Sequence, residues 1–152
     1  MSRWIWTAAV AALAFGAGCG GGDTGPSELP NGSMSAKIDG SSWTAIAITA
    51  AYSNNLLVIG ASDANSRGLG FAAIAPGPGT YTIGTSIGAN GNLTISGQGW
   101  LATTGSGSGS ITVTSVSANA AEGTFQFTMA PVSGTGATGN KVVSEGKFKV
   151  TY

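Results

Sequence analysis

The chain has 152 residues, with six basic and six acidic side chains, no histidine, one cysteine and 26 glycines. Charges this few and this balanced exclude the basic face that nucleic acid requires and the acidic run that disorders a chain. Without histidine, no Ser-His-Asp or Cys-His catalytic arrangement can be assembled. A lone thiol closes no internal disulfide and cannot build a zinc site.

Residues 1–18 hold Arg3, an apolar run from Trp4 to Phe15, and the small residues Gly16-Ala17-Gly18 ahead of Cys19. That run is about half of the ~20 residues needed to cross a bilayer, so it predicts a cleaved secretory signal rather than a membrane helix. Gly16-Ala17-Gly18-Cys19 resembles the lipobox of bacterial lipoproteins, departing from it at Gly16, where that family prefers Leu. The resemblance implies diacylglycerol on the Cys19 thiol, cleavage before Cys19, and a further acyl chain such as palmitate on the new amine. Gly20 stands where many inner-membrane lipoproteins carry a retaining Asp, which implies outer-membrane sorting if the cell is Gram-negative. The expected address is the cell envelope, with the membrane engaged through the lipidated N-terminus.

Residues 19–33 have almost no large apolar side chains and no period, and are expected to form a flexible tether behind the lipidated cysteine. Its fourteen residues after Cys19 have an r.m.s. reach of about 20 Å.

An all-β domain is expected over residues 34–152. Ile46, Ile48, Ala50 and Tyr52 alternate with small residues, Asn54-Asn55 supplies a tight turn, and Leu57, Ile59 and Ala61 follow. A two-residue loop at Asn54-Asn55 pairs Tyr52 with Leu57, Ala50 with Ile59 and Ile48 with Ala61, which puts all six on one face. The loop from Asp63 to Gly68 leads to a strand from Leu69 to Ala75, ended by Pro76-Gly77-Pro78-Gly79. Tyr81 and Ile83 mark the next strand. Leu93 and Ile95 begin another, expected to run through Gly97 and Gly99 towards Leu101. Beyond the loop Gly105–Ser110, Ile111 and Val113 restart the alternation. Phe125, Phe127 and Met129 face one way and Thr124, Gln126 and Thr128 the other, and Phe148, Val150 and Tyr152 close the pattern against Lys147, Lys149 and Thr151. No segment has a helical period with caps. The spacing predicts an antiparallel β-sandwich or small barrel of about eight to ten strands.

Few residues offer chemistry. Gly134-Thr-Gly-Ala-Thr-Gly139 matches a dinucleotide fingerprint, but that motif works between a strand and a helix, and the residues after it are strand-like. Ser144 and Lys147 match S-x-x-K, a helical arrangement; on a regular strand the odd spacing sends them to opposite faces. Asp39, Asp63, Glu122 and Glu145 are the acids of the domain. Asp39 and Glu122 precede glycines at expected turns and Asp63 lies in a loop, so turn chemistry explains them better than paired acid/base catalysis. Asp63 with Asn65 is the nearest approach to a calcium site and falls short of the oxygen count that ion needs. No metal or other cofactor is implied. Trp43 and Tyr52 read as core. Trp100 falls on the polar side if Leu93, Ile95 and Leu101 face inward, which makes it the candidate stacking platform for a sugar, unless a bulge at Gly97 or Gly99 turns it inward.

Met34-Ser-Ala-Lys-Ile-Asp-Gly-Ser-Ser-Trp43, Gly109-Ser-Ile-Thr-Val-Thr, Gly123-Thr-Phe-Gln-Phe-Thr and Gly146-Lys-Phe-Lys-Val together resemble a family of small secreted bacterial lipoproteins with a domain of unknown function. The resemblance spans Met34 to Val150 and implies an all-β fold on a lipid anchor, with no activity to carry over. The expectation is a non-enzymatic structural or interaction domain whose partner is an envelope protein or glycan. The alternative is a ligand-binding module, carbohydrate first.

Overall fold

The computed structural model describes residues 30–86 and 88–152. Cys19, the leader and most of the expected tether lie outside the described residues. Within them the chain is all-β: β1 (Ser33–Ile38), β2 (Ser41–Thr44), β3 (Ala47–Ser53), β4 (Leu56–Ser62), β5 (Gly68–Ile74), β6 (Gly79–Thr82), β7 (Asn90–Ile95), β8 (Gln98–Ala102), β9 (Ser108–Val116), β10 (Ala120–Pro131) and β11 (Lys141–Thr151). Every strand pairing is antiparallel. Gly32 and Ser33, placed in the tether by the sequence, belong to the sheet: the Gly32 N–H donates to the Lys149 carbonyl at 2.9 Å and Ser33 begins β1.

Three two-residue hairpins share one device, positive φ at both turn residues: Asp39-Gly40, Asn54-Asn55 and Ser96-Gly97. This turn has the twist that matches its flanking strands. The Asn54-Asn55 hairpin has the expected register, with Tyr52 opposite Leu57, Ala50 opposite Ile59 and Ile48 opposite Ala61. Ile46 departs from that alternation: it precedes β3 and is 73% exposed. The expected single strand from Leu93 to Leu101 is instead two, folded back at Ser96-Gly97 with Leu93 opposite Trp100. That extra turn, together with the one at Asp39-Gly40, brings the count to eleven strands among the described residues, above the eight to ten expected.

The sheet divides into two wings at β10. One edge of β10 pairs with β11; the other is shared end to end, Ala121–Thr128 with β9 and Ala130–Pro131 with β8. The first wing is ordered β2-β1-β11-β10-β9-β6 and the second β8-β7-β5-β4-β3, so the continuous sheet curls into a half-barrel. At the corner Gly107 (φ +76°) is required: a Cβ there would lie 2.6 Å from the Thr128 carbonyl oxygen and 2.9 Å from that of Leu101.

The core forms where the wings face each other. The Phe71 ring on β5 lies 5.2 Å from Phe125, 6.3 Å from Phe127 and 5.1 Å from Phe148, measured between ring centres. Trp43 closes one end, buried with its indole N–H donating to the Arg67 carbonyl at 3.2 Å. Tyr152 closes the other against Tyr52 at 5.8 Å, its hydroxyl donating to the Ser117 and Ala120 carbonyls.

Burial alternates cleanly on β10, where Phe125 and Phe127 are inside and Thr124 and Gln126 outside. Replacing Phe127 or Phe148 by Ala should cost about 3–5 kcal/mol, whereas Gln126→Ala should stay within about 0.5 kcal/mol. Urea unfolding measures both. Silent Phe variants beside a severe Gln126 variant would put the register one residue off.

Candidate functional site: the outer face of the first wing

The outward positions of β1, β2, β9, β10 and β11 are almost all hydroxyl, amide or charged. Of the depressions on this face, two adjoin at Glu145 and Lys147. One, of about 410 Å³, is lined by Ser110, Thr112, Thr124, Gln126, Glu145 and Lys147, with Phe125 and Gly146 at its floor. The other, of about 310 Å³, is lined by Ser35, Lys37, Ser42, Thr44 and the same Glu145 and Lys147, with Ala36 and Trp43.

Glu145 joins the two because β11 bulges there. The register against β10 skips between Phe125 and Phe127, that against β1 skips between Ser35 and Lys37, and Glu145 adopts φ +52°. Such a bulge inserts one residue and re-aims the side chains beside it. Gly146 follows because a Cβ there would strike the Phe125 carbonyl and ring. The inserted residue also overturns the expectation for Ser144 and Lys147. Ser144 sits opposite Lys37 and Lys147 opposite Ser35, so both share the outer face. No hydrogen bond joins their side chains among the described residues.

Each carboxylate of the described residues meets a cation: Asp39 with Lys141 at 2.7 Å, Asp63 with Arg67 at 2.6 Å, Glu145 with Lys37 at 2.8 Å, and Glu122 with Lys149 at 3.7 Å. Five cations face these four acids, and Lys147 has no carboxylate partner among the described residues. Glu122 lies inside β10, not at the turn expected from Gly123. The Lys141 ammonium and the Val142 N–H hold Asp39 below the usual carboxylate range against a small opposing effect of burial.

Asp63 is the one buried charged residue among those described. Burial pushes its carboxyl up. The Arg67 and Asn65 backbone N–H groups and the Arg67 guanidinium outweigh that and hold it below the usual value. The Asn65 contribution is its backbone N–H, and the cluster organises the β4–β5 loop.

Trp100 is not the platform its position suggested. The hairpin at Ser96-Gly97 reverses the expected facing of β8. The ring is 3% exposed, and its N–H donates to the Gly139 carbonyl at 2.9 Å. The Gly134–Gly139 loop joins two strands and clasps β8: Thr135 Oγ1 accepts the Gly99 N–H, and the Gly136 carbonyl accepts the Gln98 amide. The tyrosine hydroxyls are likewise committed, Tyr52 to Ala75 and Tyr81 to Gly77.

A family model described as a domain of unknown function (DUF6252) matches residues 30–150. No curated protein and no solved structure matches the chain.

Because the folded pKa of Asp63 lies below the unfolded value, its stabilisation is present above about pH 4 and is lost as pH falls through the lowered folded value. Asp63→Asn should cost about 1–3 kcal/mol at neutral pH, since it leaves buried donors poorly matched. Its thermal midpoint should also fall less steeply than wild type on acidification. Equal midpoints and parallel pH curves would remove Asp63 as the loop's organiser.

Proposed function

We propose that this chain, which belongs to the DUF6252 family, is a lipid-anchored envelope domain that works by binding rather than by catalysis. In this reading Cys19 carries diacylglycerol and a second acyl chain, the expected tether of residues 20–33 is shortened to 20–31 by the pairing of Gly32 and Ser33, and the outer face of the first wing is the working surface. The observation that carries it is the pairing of acids with cations. All four described carboxylates are engaged, two of them held low, which suits fixed structural charge rather than a proton shuttle. What remains for an external partner is Lys147 amid Ser35, Thr44, Thr112, Thr124 and Gln126.

That surface suits a hydroxyl-rich or weakly anionic partner, an envelope protein or a glycan. Its hydroxyls and amide both give and take hydrogen bonds, and the unpaired ammonium adds direction. Carbohydrate recognition, if this face performs it, would rest on hydrogen bonds rather than on ring stacking by Trp100. Outer-membrane residence, for a Gram-negative cell, belongs to the same proposal and rests on Gly20.

Two measurements test this. Mass spectrometry of the mature N-terminus should find Cys19 as a di- or triacylated first residue; an unmodified Cys19, or cleavage elsewhere, removes the anchor. Stable anchoring requires more than one chain, each buried CH₂ contributing about 0.8 kcal/mol. Separately, a ligand from an envelope glycan panel or extract should bind wild type at least about tenfold more tightly than Lys147→Glu, a difference of roughly 1.4 kcal/mol. Equal binding by the two proteins excludes this face.

A further inference from the structure

The sheet leaves strands with a free edge, and they are not protected alike. A free edge is a row of unpaired N–H and C=O groups, which proteins commonly blunt with short strands, charges or proline. β2 and β6 are four residues each, and β6 follows Pro76 and Pro78. β3 is different. It runs seven residues, Ala-Ile-Thr-Ala-Ala-Tyr-Ser, with no charge and no proline, and among the described residues it pairs on one side only, with β4.

The hairpin fixes which groups are free. In a two-residue hairpin the residues flanking the turn form a hydrogen-bonded pair, and such pairs then alternate along the ladder. Ser53, Ala51, Thr49 and Ala47 therefore spend their backbone groups on β4, while Tyr52, Ala50 and Ile48 turn theirs to the open edge. The Ala75 N–H donating to the Asn55 carbonyl shows the same phase on the far side of β4.

We propose that this edge pairs with the β3 edge of a second copy of the chain, antiparallel and centred on Ala50. The strand is self-complementary in that register. Ala50 meets its own copy, and Ile48 meets Tyr52 of the second copy at two symmetric positions, all as hydrogen-bonded pairs. An aromatic ring opposite a β-branched residue is among the favourable cross-strand combinations. Thr49 falls opposite Ala51 and Ala47 opposite Ser53, so no charge opposes the union. The contact is isologous, as a two-fold dimer requires.

Sedimentation of the full chain in a density-matched neutral detergent tests this, with two edge variants. Ala50→Pro removes an N–H that β4 does not use. Thr49→Lys sets an exposed like charge diagonally across the joint while leaving every backbone group in place. Wild type should show a concentration-dependent dimer, which Ala50→Pro abolishes and Thr49→Lys weakens by about tenfold or more. Thr138→Lys, in the β10–β11 loop, should leave it intact. Thermal unfolding confirms that Thr49→Lys is folded, which keeps the test sound if Ala50→Pro is not. A wild type that stays strictly monomeric as the protein concentration is raised to about 1 mM overturns the proposal, and so does a dimer that survives Thr49→Lys at low salt. The assay does not depend on the acyl chains, so an unlipidated Cys19 would defeat the anchor and leave this test standing.

Discussion

The fold depends on one contact between its two wings: Phe71 of β5 set among Phe125, Phe127 and Phe148. Each wing alone is a sheet with one apolar face, and such a face is stable only when covered. With a single cysteine in the chain, no internal disulfide can hold the wings together, so apolar burial must do it. The rings meet tilted or edge-on, which adds to their area burial an aromatic term of about 0.5–1.5 kcal/mol per pair. The same cluster dictates other choices nearby. Gly91 is small because a Cβ would press on Phe127 and Met129, and Gly123 is small because one would strike the Thr112 carbonyl and the Phe148 ring.

Turning the apolar faces inward determines what is left outside. On β9, β10 and β11 the outward partners of the core residues are Thr112, Thr124, Gln126 and Lys147, and the bulge at Glu145 brings a carboxylate into their row. The polar face is thus the complement of the phenylalanine cluster, read one residue out of phase. Its ion pairs are solvent-exposed and contribute little stability, about 0–1 kcal/mol each. The Glu145–Lys37 pair, with side chains 65% and 41% exposed, therefore serves more to orient the groove than to hold the fold.

How much of this was legible depended on distance along the chain. The hairpin from Ile48 to Ala61 could be read because its turn and its alternation lie within one short window and agree. The inward Phe125 and Phe127 could be read for the same reason. Ser96-Gly97 carries the Ser-Gly turn signal, but the signal is ambiguous there. Gly97 and Gly99 made a continuous strand with a bulge look equally acceptable, and the pairing of Leu93 with Trp100 decides between them. The bulge at Glu145 left a weaker trace. Val143 and Phe148 are both buried but five residues apart, a spacing that regular alternation forbids. The groove itself was not legible at all, because it exists only once β1, β11, β10 and β9 lie side by side, and that order follows from long-range pairing.

Scarce charge has a last consequence, for the edges of the sheet. A protein with so few charges protects its surface mainly by hydroxyls, which keep it wet but set no repulsion between like strands. An uncharged seven-residue edge in such a protein needs little affinity to find a mate, provided the copies are held close together. Confinement by a shared tether or surface raises effective concentration to the order of millimolar, where even a dissociation constant of about 1 mM, roughly −4.1 kcal/mol, gives substantial pairing. A single strand joint falls well below the area of a standard stable interface, so weak and reversible association is what it should deliver. Lipid anchoring and edge pairing would then act together. The proposed anchor would gather the copies and the proposed β3 joint would set their orientation, which would leave the polar face of the other wing open to a partner.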